Sequence, residues 1–110
     1  MAEKDRVAAY IGFARKCGGC AVGAEAVART RKKIYILFLS RDASANAQKE
    51  VEAFAKKRGI PVAVPRHMDL SELVHKPNCK TAGITHKELS AAIIESLSKN
   101  ENYTIREAGI

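Results

Sequence analysis

Aromatic side chains are scarce in this sequence, which has three tyrosines, three phenylalanines and no tryptophan. At least four of them, Tyr10, Tyr35, Phe38 and Phe54, fall in segments that we expect to form the core. Proteins that bind single-stranded nucleic acids stack the bases on exposed aromatic rings. The scarcity of aromatic residues therefore excludes a stacking platform of that kind.

Cysteine is also scarce, and an odd count of three provides no disulfide framework. The motif Cys17-Gly18-Gly19-Cys20 follows a predicted helix, whereas a redox-active pair lies at the start of a helix, after a strand. A structural zinc site needs four ligands, and Cys79 brings no second pair with ligand spacing. We expect Gly18 and Gly19 to form a turn between two small apolar thiols, and a zinc or redox protein is the third hypothesis.

Long apolar runs, phosphate-binding glycine patterns and nucleophile motifs are absent as well. No apolar run approaches the ~20 residues that cross a bilayer, and residues 1–6 carry mixed charges where a signal peptide is apolar. No serine or cysteine lies in a nucleophile elbow, and no glycine pattern fits a nucleotide site. We therefore expect a cytoplasmic, non-enzymatic protein with no cofactor and no membrane partner.

The positive charge of the chain is high and is concentrated in one part of the sequence. The 110 residues carry a formal net charge of +7, and residues 1–41 hold nine basic against three acidic side chains. A concentrated positive field attracts polyanions, because neutralising phosphates releases counterions. A membrane surface is a weaker candidate, since the densest basic run, Arg29 to Lys33, is short and precedes a strand. The charge favours a nucleic-acid partner, and general solubility is the alternative.

Hydrophobic spacing and capping signals predict alternating helices and strands. Ile34 to Leu39 is a continuous apolar run, typical of a central strand covered on both faces. The predicted helices cover 4–16, 24–31, the segment from Ser44 to Gly59, a short segment after the Asp69 and Glu72 capping box, and a segment after a Thr85 and Glu88 capping box. The predicted strands are 20–22, 34–39, 62–64, which is parallel to the central strand, and 80–85.

This order predicts an α/β fold, specifically a three-layer α/β/α sandwich with a small mixed sheet of about four strands and helices on both faces. Residues 1–98 are predicted to form a single domain. The tail, 99–110, contains Tyr103 and Ile105, and its polarity leaves open a strand, an addition to the sheet edge or disorder.

A candidate anion-binding region surrounds the predicted glycine turn. Arg15 and Lys16 lead into the turn, Gly23 precedes the second helix, whose first N–H groups lack helical partners, and Arg29 lies further along that helix. We expect these features to lie together at one end of the fold.

Several short motifs carry a family resemblance through their order and spacing. They are Ile11-Gly12-Phe13-Ala14-Arg15-Lys16, Val22-Gly23-x-Glu25-x-Val27, the apolar strand, Asp42-Ala43-Ser44-x-Asn46 and Gly59-Ile60-Pro61-Val62. Over about residues 7–97 the chain resembles the ribosomal seven-Ae/thirty-e family, which includes small bacterial relatives and whose best-known members bind RNA kink-turns. The resemblance implies the family's three-layer α/β/α fold.

The resemblance also implies a site. Kink-turn binders read sheared guanine-adenine pairs with an asparagine, a glutamate and a lysine, and the matching positions here are Glu25, Ala26 and Arg29. The loop that assists them corresponds to residues 75–79. The implied function is binding of ribosomal or other structured, kink-turn-like RNA by a monomer, with ribosomal proteins as further candidate partners. The candidate RNA-binding residues are Arg15, Lys16, Gly18, Gly19, Gly23, Ala24, Glu25, Arg29, Lys32, Lys33, His75 and Lys76.

The alternative function is an interaction or scaffold protein that kept the fold and lost specific RNA reading. Ala26 has no acceptor for a guanine edge, and Glu25 has a carboxylate where the family has a neutral amide.

Overall fold

The computed structural model describes residues 5–106, in which helices and strands alternate along the chain. The elements are α1 (Arg6–Lys16), β1 (Cys20–Val22), α2 (Ala24–Arg29), β2 (Ile36–Leu39), α3 (Ala45–Arg58), β3 (Val62–Pro65), α4 (Leu70–Val74), β4 (Thr81–Ile84), α5 (Lys87–Leu97) and β5 (Tyr103–Arg106).

The strands form one mixed sheet in the order β1-β4-β2-β3-β5. The central strand β2 is parallel to β3, with Leu37 opposite Val62, and antiparallel to β4, with Leu37 opposite Gly83. The predictions that β2 is central and that β3 runs parallel to it are confirmed. A central strand has neighbours on both sides and helices on both faces, which explains why its sequence is apolar throughout.

Alternation along β2 divides the core between the two faces of the sheet. Ile36 and Phe38 pack with α1, α4 and α5, and Leu37 and Leu39 pack with α2 and α3. All four side chains are at most 1% exposed. The predicted three-layer sandwich with helices on both faces is therefore confirmed.

The sheet has five strands where about four were predicted, because part of the tail pairs with β3. Tyr103 lies opposite Pro65, packs edge-on against Phe38 and donates a hydrogen bond from its hydroxyl to Asp5 Oδ2 at 2.8 Å. Tyr103 therefore joins the tail to the sheet through its ring and to the start of α1 through its hydroxyl. Residues 107–110 of the predicted tail lie outside the described residues.

The helix α2 ends at Arg29, two residues before the predicted end. Thr30 adopts an extended conformation with ψ 138°, and its N–H donates to the carbonyl of Ala26 at 3.0 Å. Threonine is β-branched and loses side-chain freedom in a helix, which favours this early end. The basic residues 31–33 therefore lie outside the helix and do not complement its dipole.

The start of α5 also differs from the prediction, and the capping box of Thr85 with Glu88 is wrong. Thr85 continues the sheet pairing, since its N–H donates to the carbonyl of Gly19 at 2.8 Å. His86 is the N-cap instead, and its Nδ1 accepts from the N–H of Leu89 at 3.1 Å. The other predicted caps are confirmed, at Ser44, Asp69 and Gly59.

Two glycine-to-alanine changes test the packing at the end of α1. A Cβ at Gly12, inside α1, meets nothing within 4 Å, so Gly12→Ala should raise the free energy of unfolding by about 0.5–1 kcal/mol through helix propensity. A Cβ at Gly19 would lie 2.7 Å from the Cβ of His86, so Gly19→Ala should destabilise the protein. Urea unfolding measures both changes, and shifts of the same sign would contradict this packing.

Candidate nucleic-acid interface

The candidate residues lie at the end of α1, in the glycine turn, in α2 and its N-cap, before β2 and in the 75–79 loop, near two opposite ends of the sheet. We call the end of the sheet at which β2 and β3 finish the carboxyl end, and the end at which they begin the amino end. Because β4 is antiparallel to β2, Thr81 lies at the carboxyl end and Ile84 at the amino end. The edge strand β1 runs antiparallel to β4, with Cys20 opposite Ile84 and Val22 opposite Ala82.

Gly23 and Lys76 meet at the carboxyl end. The N–H of Gly23 donates to the carbonyl of Thr81 at 2.7 Å, and its φ of +99° favours glycine. A Cβ at Gly23 would lie 3.8 Å from Lys76 Nζ. The start of α2, which includes Ala24, and the 75–79 loop therefore adjoin, as predicted.

The 75–79 loop has a defined backbone conformation. His75 and Asn78 are non-glycine residues with positive φ, 56° and 61°. The N–H of Lys76 donates to the carbonyl of Ser71, and that of Cys79, which is buried, donates to the carbonyl of Lys76. A loop with two left-handed non-glycine residues stores strain and is held by its surroundings, while the side chains of His75 and Lys76 remain exposed.

Arg15 supports this loop. Its Nε donates to the carbonyl of Val74 at 3.0 Å, directly before His75. The bond gives a hydrogen-bond partner to a carbonyl in the last turn of α4, where carbonyls have no N–H partner within the helix. Arg15 therefore joins α1 to the loop, and its guanidinium is only partly available to a ligand.

Arg29 forms an ion pair with Glu25 on the outer face of α2. Arg29 Nη2 lies 2.9 Å from Glu25 Oε1, and the two side chains are 79% and 74% exposed. Exposed pairs at this spacing contribute only about 0.3–0.5 kcal/mol to stability. Arg29, which the sequence analysis names as a candidate RNA-binding residue, is therefore accompanied by a carboxylate.

The glycine turn lies at the amino end. Gly18 has a φ of +77°, as the sequence predicts, and its carbonyl accepts from Lys32 Nζ at 3.1 Å. Gly19 is buried and pairs with Thr85, and the exposed Lys16 ends α1 here. Lys33 Nζ lies 5.1 Å from the centroid of the Tyr35 ring.

The glycine turn and the start of α2 therefore lie at opposite ends of β1, and the expectation that all these features share one end is wrong. The pairings of Gly19 with Thr85 and of Gly23 with Thr81 are four residues apart along β4, which corresponds to roughly 14 Å of strand. The structure brings together the start of α2, His75, Lys76 and Arg15. Gly18, Gly19 and Lys32 lie at the other end, as does Lys33 before β2, and Lys16, next to Arg15, ends α1 beside the glycine turn.

The 75–79 loop was named from the sequence without a role for Asn78, and Thr81 was given no part in the carboxyl end. Thr81 supplies the carbonyl that holds Gly23, and Asn78 turns the loop. Asparagine tolerates the left-handed conformation better than most residues, so Pro77-Asn78 carried a usable turn signal. The carbonyl of Thr81 carried none, because it acts through the backbone.

The thiols of the Cys17-x-x-Cys20 motif differ in environment. Cys17 is exposed and its Sγ contacts the carbonyl of Ala14 at 3.6 Å, whereas Cys20 packs against the core on the α1 face. Burial raises the pKa of Cys20 to about 11, against a smaller lowering by Arg15. An activated redox thiol needs the opposite shift. Within residues 5–106 no three His, Cys, Asp or Glu side chains form a group that could hold a metal ion.

The membrane-spanning helix that the sequence excludes is also not found in the structure: across residues 5–106, every helix is too short or too polar to cross a bilayer.

Comparisons with known proteins establish the fold alone. No protein-family model and no curated protein matches the chain. Among solved structures, it is similar to a protein of unknown function from Bacillus halodurans, with a TM-score of 0.70 and 21% sequence identity. The match covers 86% of this chain and 99% of that protein. The similarity therefore shows the α/β fold, and a function has to be argued from the chemistry of the site.

Thiol reactivity tests the environment of Cys20. In the folded protein, iodoacetamide at pH 8 should alkylate the exposed Cys17 and leave Cys20 largely unmodified, because its pKa of about 11 keeps the thiol protonated. Because burial raises the pKa of Cys20 from 9.0 to about 11, the unfolded chain loses this proton first, and the free energy of unfolding should fall as the pH rises from 9.0 to about 11. Peptide mass spectrometry measures both sites, with the urea-unfolded protein as control. Equal rates at Cys17 and Cys20 in the folded protein would contradict the assignment.

Proposed function

We propose that the chain is a non-enzymatic, cytoplasmic RNA-binding protein that contacts ribosomal or other structured, kink-turn-like RNA as a monomer. The single observation that carries the proposal is that the ammonium group of the exposed Lys76 lies beside Gly23, 3.8 Å from where a Cβ would stand on that glycine. The family resemblance assigns RNA recognition to the same two segments, the start of α2 and the loop before β4.

The chemistry of this end suits a phosphate backbone better than a base edge. Lys76 supplies a mobile cation, and Gly23 leaves room for an RNA strand to approach the protein backbone. Phosphate contacts fix position and affinity, whereas base contacts give sequence specificity. Glu25 and Ala26 remove the neutral amide and the acceptor of kink-turn binders, so recognition here depends on RNA shape and charge.

Replacing Lys76 tests the site. Lys76→Ala should weaken binding to a kink-turn hairpin and to other structured RNAs alike, and lower the slope of log K against log salt by about one. Fluorescence anisotropy across a salt series measures this slope. Lys99→Ala, which removes an exposed cation from the groove lined by Arg6 and Tyr10, is the matched control and should leave the slope unchanged. Equal small effects of the two changes would contradict the proposed site.

The ion pair on α2 provides a second test. Glu25→Gln removes the carboxylate 2.9 Å from Arg29 and should tighten RNA binding several-fold at low salt, because a like charge near phosphates opposes association. Glu95→Gln, at an exposed position of α5, is the control for net charge. If the two variants gain equally, the effect is one of net charge only, and Glu25 does not face the RNA.

A groove between α2 and α3 supports the alternative function. Its volume is about 100 Å³, and Ala24, Val27, Ala28 and Phe54 line it, with Glu50 among the lining residues. A small apolar groove of this kind fits side chains of a protein partner. Under this alternative, partners captured from cells survive nuclease treatment, whereas under the proposed function they are lost.

A further inference from the structure

Six exposed cations crowd the amino end of the sheet, away from the candidate site. They belong to two separate segments of the chain, Arg31-Lys32-Lys33 before β2 and Lys56-Lys57-Arg58 at the end of α3. We call these six residues the amino-end surface.

Parallel pairing brings the two segments side by side. The N–H of Leu37 donates to the carbonyl of Pro61 at 3.0 Å, and Leu37 lies opposite Val62. The chain entering β2 and the chain entering β3 therefore reach the same end of the sheet. Gly59, in the left-handed conformation at φ 67°, ends α3 immediately before this point.

Helix electrostatics explain only half of these cations. Residues 56–58 form the last turn of α3, where positive charge complements the helix dipole. Residues 31–33 follow the extended Thr30 and belong to no helix, so they receive no such stabilisation.

The cations of the amino-end surface are not neutralised by ion pairs in the described part of the chain. None of its six cations takes part in an ion pair within residues 5–106. The ion pairs of the described chain join Arg29 to Glu25, Arg41 to Asp69, Lys80 to Asp42 and Arg106 to Glu52. Like charges at close spacing repel one another, so the arrangement favours an external polyanion.

Two of the cations cover aromatic rings. Arg58 lies 4.3 Å from the centroid of the Phe54 ring, and Lys33 lies 5.1 Å from that of Tyr35. These contacts orient the cations and cover apolar surface that could otherwise insert into a bilayer. A phosphate backbone therefore fits the surface better than a membrane, whose peripheral proteins insert bulky apolar residues.

We propose that the amino-end surface is a second RNA-binding surface, which holds the phosphates of an RNA helix and uses none of the residues at the carboxyl end. The choice of RNA as partner rests on the proposed function. With two surfaces at opposite ends of the sheet, the protein binds two RNA segments, or two parts of one folded RNA, at the same time.

The test uses the full chain and two fluorescent probes, a plain RNA duplex and a kink-turn hairpin. The double variant R31Q/K57Q removes two cations that form no hydrogen bond or ion pair among the described residues. For both probes, it should lower the slope of log K against log salt by about two. The matched control R6Q/K99Q removes two exposed cations from the groove beside α1 and α5, and should leave the slope at the wild-type value.

The outcomes separate this inference from the proposed function. If R31Q/K57Q matches wild type while Lys76→Ala lowers the slope for the hairpin, the amino-end surface is overturned and the carboxyl-end site stands. If R31Q/K57Q lowers the slope and Lys76→Ala matches Lys99→Ala, the second surface stands and the carboxyl-end site fails. RNA would be overturned as the partner if the wild-type protein bound phosphatidylserine vesicles and R31Q/K57Q abolished that binding while leaving the RNA affinity unchanged.

Discussion

Three residues of β1 pair with β4, and a glycine extends the pairing at each side. The carbonyl of Gly19 accepts from Thr85, and the N–H of Gly23 donates to Thr81. These bonds attach the end of α1 to the amino end of the sheet and the start of α2 to the carboxyl end. Glycine is needed at both positions, because Gly19 packs against His86 and Gly23 has positive φ. The separation of the glycine turn from the start of α2 follows from this short pairing.

Charge compensation differs between the two ends of the sheet. At the carboxyl end, Lys80 Nζ lies 2.6 Å from Asp42, and its hydrogen bond, with a second from Ser40, lowers the pKa of the Asp42 carboxyl. Arg41 is paired with Asp69, whereas the exposed Lys76 forms no ion pair within residues 5–106. At the amino end Arg106, opposite Val62, is paired with Glu52, but none of the six cations of the amino-end surface forms an ion pair within residues 5–106, so their charges add to a broad positive field.

Local signals predicted the parts of the fold that local chemistry determines. The apolar run of β2, the Ser44 cap and the Gly59 termination each act within a few residues, and the structure confirms them. The predictions were wrong where residues distant in the sequence determine the local structure. Thr85 pairs with Gly19 and leaves the cap to His86, and Tyr103 bonds to Asp5 to bring the tail into the sheet.

For the candidate site, the sequence predicted one of two spatial relations. The proximity of Lys76 to Gly23 agrees with the expected proximity of loop and helix, whereas β1 separates Lys32 and the glycine turn from them. The most direct test of RNA recognition at the carboxyl end is amide chemical-shift mapping by NMR with a kink-turn hairpin at physiological salt. We predict the largest shifts at Gly23 and in the 75–79 loop, with the exposed face of α5 around Ile94 unchanged. Shifts that spare Gly23 and Lys76, or that centre on α5, would contradict the account.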